Sequence, residues 1–355
     1  MAHPRFDVHI PPTAEEQGLE AGELPVTLVI PVRDEQETVG RLIDSIDAQT
    51  KRPAEVVFVD GGSTDRTAEL VQGKSHQDPR YRLVQADGPA TPGRGRNLGV
   101  AAARHRWVAM TDAGITLEPT WLEALWQAHI DHPSAEVVYG NYEFDLRSFF
   151  EECAAVAYCD TKRSTPAGPA RGPSVVSCLV HRRAFDEVGG FPDLRAAEDD
   201  MFVRSVMAAG IDVTYAPDAT VWWRLRPDLR STFQRFRTYS HHNVLGGQQH
   251  FWHRGLARSY VPVAIGLVLT TVNSRRWLVL PLATIGARTA VRVARHRREM
   301  PVLRRPGPVR VALIAAVLVV SDVATALGWW EARRSRVEVM GRTATGDARG
   351  GPPTA

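Results

Sequence analysis

Between residues 25 and 112 short, almost wholly apolar runs alternate with stretches of helical period, and no other feature constrains the fold as tightly. PVTLVIPV (25–32) is apolar and β-branched at nearly every position, the composition of a strand whose two faces are both covered. RDEQETVGRLIDSIDAQT follows, with Val39, Leu42, Ile43 and Ile46 at helical spacing. AEVVFVD (54–60) predicts a second buried strand, and STDRTAELVQ a second helix with Ser63 or Thr64 as its N-cap. YRLVQA predicts a third strand, GRGRNLGVAAARH a helix entered through a glycine-rich turn, and RWVAMTD a fourth strand. Strands and helices in alternation with short connections make an α/β fold, a mostly parallel sheet covered on both sides.

In such sheets ligands gather beyond the carboxyl ends of the strands. Asp60 and Asp112 each end a strand and so share that edge, although a lone Asp in this position is usually a turn former or N-cap. In DGGSTD (60–65) two glycines permit close backbone approach to a ligand, and Ser63 and Asp65 supply polar contacts. PGRGRNLG (92–99) is neither a Walker loop nor a dinucleotide fingerprint, because its spacing and its preceding strand match neither. It does place Arg94 and Arg96 near a helix N-terminus, where phosphate oxygens bind well. RAAEDDMFVR (195–204) sets Glu198, Asp199 and Asp200 ahead of an apolar helical stretch. Acids there complement a helix dipole. Three in a row also repel one another, so one of them is expected to hold its proton more readily and to suit base work.

Taken in order, these stretches resemble glycosyltransferase family 2, whose nucleotide-sugar-binding fold is called GT-A, over about residues 24–245. VTLVIPVRDEQETVGRLIDSI resembles the family's opening strand and helix, VVFVDGGSTDRT its most recognisable motif, and GRGRNLGVAAA its glycine- and asparagine-containing helix start. MTDAG stands where the family carries its DxD metal motif. GGFPDLRAAEDDMFVRSVMAAG resembles the acceptor-side segment, and VTYAPDATVWWRLRPDLRSTFQRFRTY the stretch that closes the domain. The resemblance implies a Rossmann-like α/β/α domain over 24–255 and an inverting, non-processive transferase of hexosyltransferase type. A nucleotide-diphosphate sugar with a uridine or guanosine base would lie against Pro31, Arg33, Glu35, Asp60, Gly61, Ser63, Arg94, Arg96, Asn97, Thr111 and Asp112. By the same resemblance Asp60 holds the base and Asp112 a divalent metal, Mg2+ or Mn2+, weakly bound. Asp199 is the general base, paired with Glu198, and Asp200 and Arg237 face the acceptor.

Four positions depart from the family pattern. Gly114 replaces the last acid of DxD, and Trp223 or Arg224 stands where many relatives have a histidine near the diphosphate. Gln234 and Arg237 give QxxR, but Thr238 follows where processive members have Trp, which argues against chain extension. The ending YSHHN lacks the arginine and glycine common in non-processive members. Rival readings are a nucleotidyltransferase or an NAD-type dehydrogenase, the latter opposed by the missing fingerprint. A further rival is a degenerate family member that binds a nucleotide sugar or a membrane partner without turnover.

From Ser259 the composition changes. The segments 260–272, 277–287 and 311–330 are strongly apolar, and the last has the length needed to cross hydrocarbon, with Trp329 and Trp330 at interface depth. The first two are short, so a tight hairpin, a re-entrant pair or buried helices stay open. Membrane-associated helices are therefore expected over 256–335, after a flexible lead-in (1–23) and before a disordered tail (336–355). Seven arginines between Arg292 and Arg310, against the single acid Glu299, predict a cytoplasmic loop that touches anionic headgroups, or else a solvated linker. His241, His242, His250 and His253 are irregularly spaced and favour an interfacial or acceptor-facing role over a metal site. A net charge of only +3 argues against a nucleic-acid partner. Three cysteines without a CxxC, and no apolar core in the first 25 residues, point to a catalytic domain on the cytoplasmic side of the cell membrane. An acceptor of glycan or polyprenyl-lipid type follows from that location.

Overall fold

The computed structural model describes the backbone of residues 19–346, with side chains except at 249–252 and 335–346. Most of the expected lead-in, the end of the expected tail and the His250 side chain thus lie outside the described residues. The elements run β1 (Glu23–Val32), α1 (Val39–Asp47), β2 (Arg52–Asp60), α2 (Thr67–Gln77), β3 (Tyr81–Gln85), α3 (Pro92–Ala102), β4 (Trp107–Met110) and β5 (Ile115–Leu117). Then come α4 (Trp121–Asp131), β6 (Val137–Phe144), α5 (Phe149–Tyr158), β7 (Arg163–Thr165), β8 (Gly168–Ala170), β9 (Cys178–His181), α6 (Arg182–Glu187) and α7 (Glu198–Ala208). β10 (Val213–Trp223), α8 (Leu229–Leu245), α9 (Gln249–Val272), α10 (Val279–His296) and α11 (Pro308–Gly346) complete the chain.

Two compact units divide these elements. Among the described residues, the first reaches Tyr142 and takes in Ser164–Phe191 and Phe202–Trp222; the second comprises Glu143–Arg163, Pro192–Met201 and the described chain from Trp223. In the first unit one eight-stranded sheet has the order β3-β2-β1-β4-β9-β6-β10-β5. β1 is parallel to β2 and β4, and β2 to β3. β9 runs antiparallel to both β4 and β6, which sets β6 in the direction of β4. The sheet is the expected mostly parallel one. Val26, Leu28, Val29 and Ile30 of β1 are fully buried, as their unbroken apolar run requires. Val39, Leu42 and Ile46 of α1 are equally buried, and Ile43 nearly so.

The glycines of PGRGRNLG lie inside α3 and not in a turn before it. Thr91 caps the helix by accepting from the Arg94 N–H, with Pro92 at the first position. A methyl group at Gly95 would stand 3.0 Å from the Pro31 side chain, and one at Gly99 only 2.2 Å from Val29 Cγ1. The two glycines are one turn apart, and together they let α3 lie directly on β1. Gly99→Ala is therefore expected to cost about 1–3 kcal/mol through overpacking. Gly73→Ala, on an open face of α2 with nothing within 4 Å, is expected to be neutral or to gain up to about 1 kcal/mol. Thermal unfolding of the two variants should move in opposite directions.

The second unit has its own core, formed by Cys153–Ala157, Leu225, Val293, Leu303, Ile314, Val317 and Leu318. Its stretches His253–Val272, Arg275–His296 and Pro308–Arg334 are long and apolar enough to cross a membrane by length and composition.

Candidate functional site

β1 lies between β2 and β4, and the three strands deliver their carboxyl ends to one edge. Val32 is in register with Asp60, and Val29 with Met110, two residues before Asp112. Asp60 and Asp112 thus flank the end of β1. Pro31, Arg33, Glu35, Gly61 and Ser63 sit on the same edge because they continue β1 and β2.

The loops after β1 and β2 are laced together by side chains. Asp60, 6% exposed, accepts from the Ser63 N–H (3.1 Å) and the Ser63 hydroxyl (2.5 Å). The Ser63 Oγ in turn accepts from the Asp34 N–H at 3.0 Å. Asp34 has the left-handed φ of 55° and accepts from the Thr64 N–H at 2.7 Å. The Glu35 N–H donates to Thr67 Oγ1 (2.7 Å) and the Gln36 N–H to Asp65 Oδ2 (3.1 Å). The Thr64 N–H bond is the main cause that holds Asp34 below the usual carboxylate range. For Asp65 desolvation pushes upward, but hydrogen bonds from Thr67 and Gln36 outweigh it and its pKa is lowered. Gly61 is pinned as well: its N–H donates to the Val32 carbonyl, and a side chain there would meet the Ala90 carbonyl at 3.0 Å.

This lacing corrects one expectation. α2 begins at Thr67, not after Ser63 or Thr64, because both hydroxyls are engaged with the aspartates of the two loops. Asp65 accepts from the Thr67 N–H instead and serves the helix start. Asp34, Gln36 and Thr67 were not singled out from the sequence. Their partners are about 30 residues away, and no local spacing announces such pairs.

On the other side of β1, Arg96 is 1% exposed and donates to Asp112 Oδ1 at 2.5 Å, with its guanidinium 5.2 Å from the Phe191 ring. Asp112 itself is 35% exposed. The buried cation holds an acid whose remaining surface faces solvent. Thr111 is fully buried, with its N–H directed to the Val29 carbonyl. Arg94 reaches along the preceding loop to the Asp87 carbonyl at 3.3 Å. Asn97 is used differently: its amide donates to the Phe191 carbonyl (2.8 Å) and accepts from the Phe191 N–H (2.9 Å), which clamps the turn after Gly190.

Gly114 has φ +77°, and a Cβ added there would stand 3.6 Å from Glu35 Oε2. The position lacks its own carboxylate but faces one from β1's loop. Among the described residues no group of three or more His, Cys, Asp or Glu could hold a metal ion. A hard cation at Asp112 would have to draw most of its ligands from water and ligand phosphates, as such ions do with one or two carboxylates, and not from an all-protein cage.

The acids opening α7 belong to the second unit. Glu198 is buried, Asp199 half-buried and Asp200 exposed, and Ala197 before them has the left-handed φ of 74°. A non-glycine residue held there is strained, a feature that concentrates at working sites. Upstream, the Arg195 N–H donates to His242 Nδ1 at 3.4 Å. Burial, and then His241 and Arg195, lower the pKa of His242, so it is neutral at neutral pH. Arg237 forms a two-point pair with Glu331, at 2.8 and 2.7 Å. Trp223 carries the Arg235 guanidinium 4.2 Å above its ring, and Arg224 lies 3.5 Å from buried Glu151.

Residues 27–189 match the family model described as Glycosyl transferase family 2. The succinoglycan biosynthesis protein ExoO of Rhizobium meliloti is 36% identical over 118 residues, which cover 33% of this chain and 33% of ExoO. The glycosyltransferase GlyG of Streptococcus pneumoniae is 26% identical over 117 residues, 33% of this chain and 38% of GlyG. The chain thus spans about a third of the length of these curated relatives. Among solved structures, the mannosyltransferase PcManGT of Pyrobaculum calidifontis, in complex with GDP-Man and Mn2+, aligns with a TM-score of 0.49 at 16% identity. That alignment covers 85% of this chain and 87% of PcManGT.

Proposed function

Residues 27–189 belong to glycosyltransferase family 2, and from that premise we propose that the chain is an inverting transferase that moves a sugar from a nucleotide diphosphate to an acceptor hydroxyl or phosphate. The observation that carries the reading is the pairing of Asp60 and Asp112 on either side of the β1 end, each held by its own hydrogen bonds. Asp60, fixed by Ser63, accepts from the base or ribose. Arg94, at the start of α3, supplies charge to the diphosphate. Asp112, oriented by Arg96, faces the sugar diphosphate, and with Glu35 it would hold a weakly bound Mg2+ or Mn2+. When bound, that ion neutralises charge developing on the leaving phosphate. Asp199 takes the proton of the acceptor, and one base-assisted attack from the far side inverts the anomeric carbon. The exposed apolar helices and the arginines between Arg292 and Arg310 support attachment at the cytoplasmic face of a membrane, and with it a polyprenyl-linked or cell-envelope glycan acceptor.

The test combines transfer and metal. Membranes holding the full chain should move label from a nucleotide-diphosphate sugar into a lipid-extractable or glycan product, and EDTA should abolish the transfer. Gly114→Asp places a carboxylate beside Glu35, so the repulsion is relieved by a divalent ion and the half-saturating Mn2+ concentration should fall. Asp is among the residues that tolerate the left-handed φ needed there. Full transfer in EDTA would mean that Asp112 serves the sugar alone. Donor binding without transfer to any membrane acceptor would favour the degenerate reading, for which Gly114 is the supporting observation.

A further inference from the structure

By length and composition α9, α10 and α11 all qualify as spans, but their packing separates them. The apolar stretch of α11 is 39% buried, against 6% for α9 and 11% for the segment containing α10. The cover comes from α5 and α8. Arg310 pairs with Glu152 at 2.6 Å, Ile314, Val317 and Leu318 pack with Cys153–Ala157, and the Thr325 carbonyl accepts from Ser240 Oγ at 2.6 Å. At Gly328 an added methyl would stand 2.2 Å from the Arg237 carbonyl, and Glu331 holds Arg237. From Arg310 to Glu331 α11 rises about 32 Å, roughly the thickness of a hydrocarbon core. It has one of these two helices beside it at both ends of that length. α8 carries Arg230, Arg235, Arg237, His241 and His242, and α5 carries Glu151 and Glu152. If α11 crossed the bilayer, these charges would be drawn into lipid with it.

α9 and α10 pose the opposite problem. Val261, Ile265, Val268 and Val272 form an exposed stripe on α9, and Val279 and Leu282 are exposed on α10. Yet the uninterrupted apolar runs Tyr260–Val272 and Trp277–Ala287 amount to only about 20 and 17 Å of helix, against about 30 Å of hydrocarbon. Cations stand at both ends of each run: Arg254 and Arg258, then Arg275 and Arg276, then Arg288 and Arg292. An upright hairpin would drive Arg275 and Arg276 into the hydrocarbon, whereas one lying in the interface keeps the exposed Arg254, Arg258, Arg275 and Arg276 among headgroups and Trp277 at the interface, with Arg288 and Arg292 held by Asp322 and the Cys159 carbonyl. The base of the hairpin is tied to α11: Tyr260 donates to Asp322 Oδ2 at 2.8 Å, and Arg288 forms two hydrogen bonds to the same carboxylate.

We propose that the chain is monotopic: the α9–α10 hairpin lies in the interface of one leaflet, α11 remains beside α5 and α8 without crossing, and the Tyr260–Arg288–Asp322 cluster joins the two. The proposal rests on the membrane attachment proposed above. Single cysteines introduced as Arg230→Cys on α8, Asn273→Cys at the hairpin tip and Arg334→Cys near the end of α11 can be probed with an impermeant maleimide in sealed vesicles of both orientations. The three native cysteines are buried, so the unaltered chain supplies a low background. All three sites should label from the same face. Labelling of Asn273→Cys from the face opposite Arg230→Cys would mean a spanning hairpin, and opposite labelling of Arg334→Cys a spanning α11; either overturns the proposal. A chain absent from the vesicles would sink the attachment itself, leaving the donor site to be judged separately.

Discussion

Asp199→Asn is expected to lower turnover by on the order of 10²-fold or more, because the amide cannot accept the acceptor's proton in the transition state. Donor affinity should stay within about twofold, since the proposed base acts on the acceptor hydroxyl and not on the donor. The sequence offered three adjacent acids for the role, and their burial separates them. Glu198 is buried at the helix start, Asp200 is exposed, and Asp199 lies between. Steady-state kinetics of the three variants, each with donor dissociation constants measured separately, would check the assignment. Near-normal turnover in Asp199→Asn with an identified acceptor would move the base to one of its neighbours.

The second large effect belongs to Asp112, and it should appear in two measurements at once. Asp112→Ala removes a charged hydrogen-bond partner from an arginine that is 1% exposed, so about 1.5–3 kcal/mol of stability should be lost even without ligand. Turnover should also fall by on the order of 10²-fold, the cost of losing one pre-organised electrostatic contact. An acid that only touched the ligand would show the second effect without the first. Asp44→Ala, exposed on α1 and away from the site, is the control and should stay within about 0.5 kcal/mol in thermal unfolding. A fully stable but inactive Asp112→Ala would remove Arg96 from the account of how the site is held.

Much of this arrangement was legible from the residues alone, for local reasons. Unbroken apolar runs such as PVTLVIP can be buried only on both faces, and the helical spacing of Val39, Leu42 and Ile46 admits one buried stripe; both were found as read. Asp60 is the last residue of β2 as read, whereas β4 stops at Met110, two residues short of the strand end expected at Asp112, and both acids still lie beyond carboxyl ends on one edge. What escaped depends on contacts distant in sequence. The Asp34–Thr64 and Asp65–Gln36 bonds, the approach of Gly99 to Val29 and the position of Glu35 beside Gly114 are created by the fold. The antiparallel β9, only four residues long, owes its pairing to its neighbours more than to its composition. α11 is the sharpest case. Its sequence satisfies the length and hydropathy of a span, while its cover by α5 and α8 can be seen only in three dimensions.

Everything proposed for the site requires that the edge bearing Asp60 and Asp112 bind a nucleotide-diphosphate sugar. Thermal unfolding of the full-length protein against a panel of UDP- and GDP-sugars, with Mn2+ present, tests it most directly. Binding to the native state alone stabilises by mass action, by about 2.7 kcal/mol at a hundredfold excess over Kd. One donor class is expected to raise the midpoint of the unaltered chain by several degrees, and Asp60→Ala to abolish the shift while keeping its own unliganded midpoint within a few degrees. No shift with any donor, or a shift that survives Asp60→Ala undiminished, would contradict it.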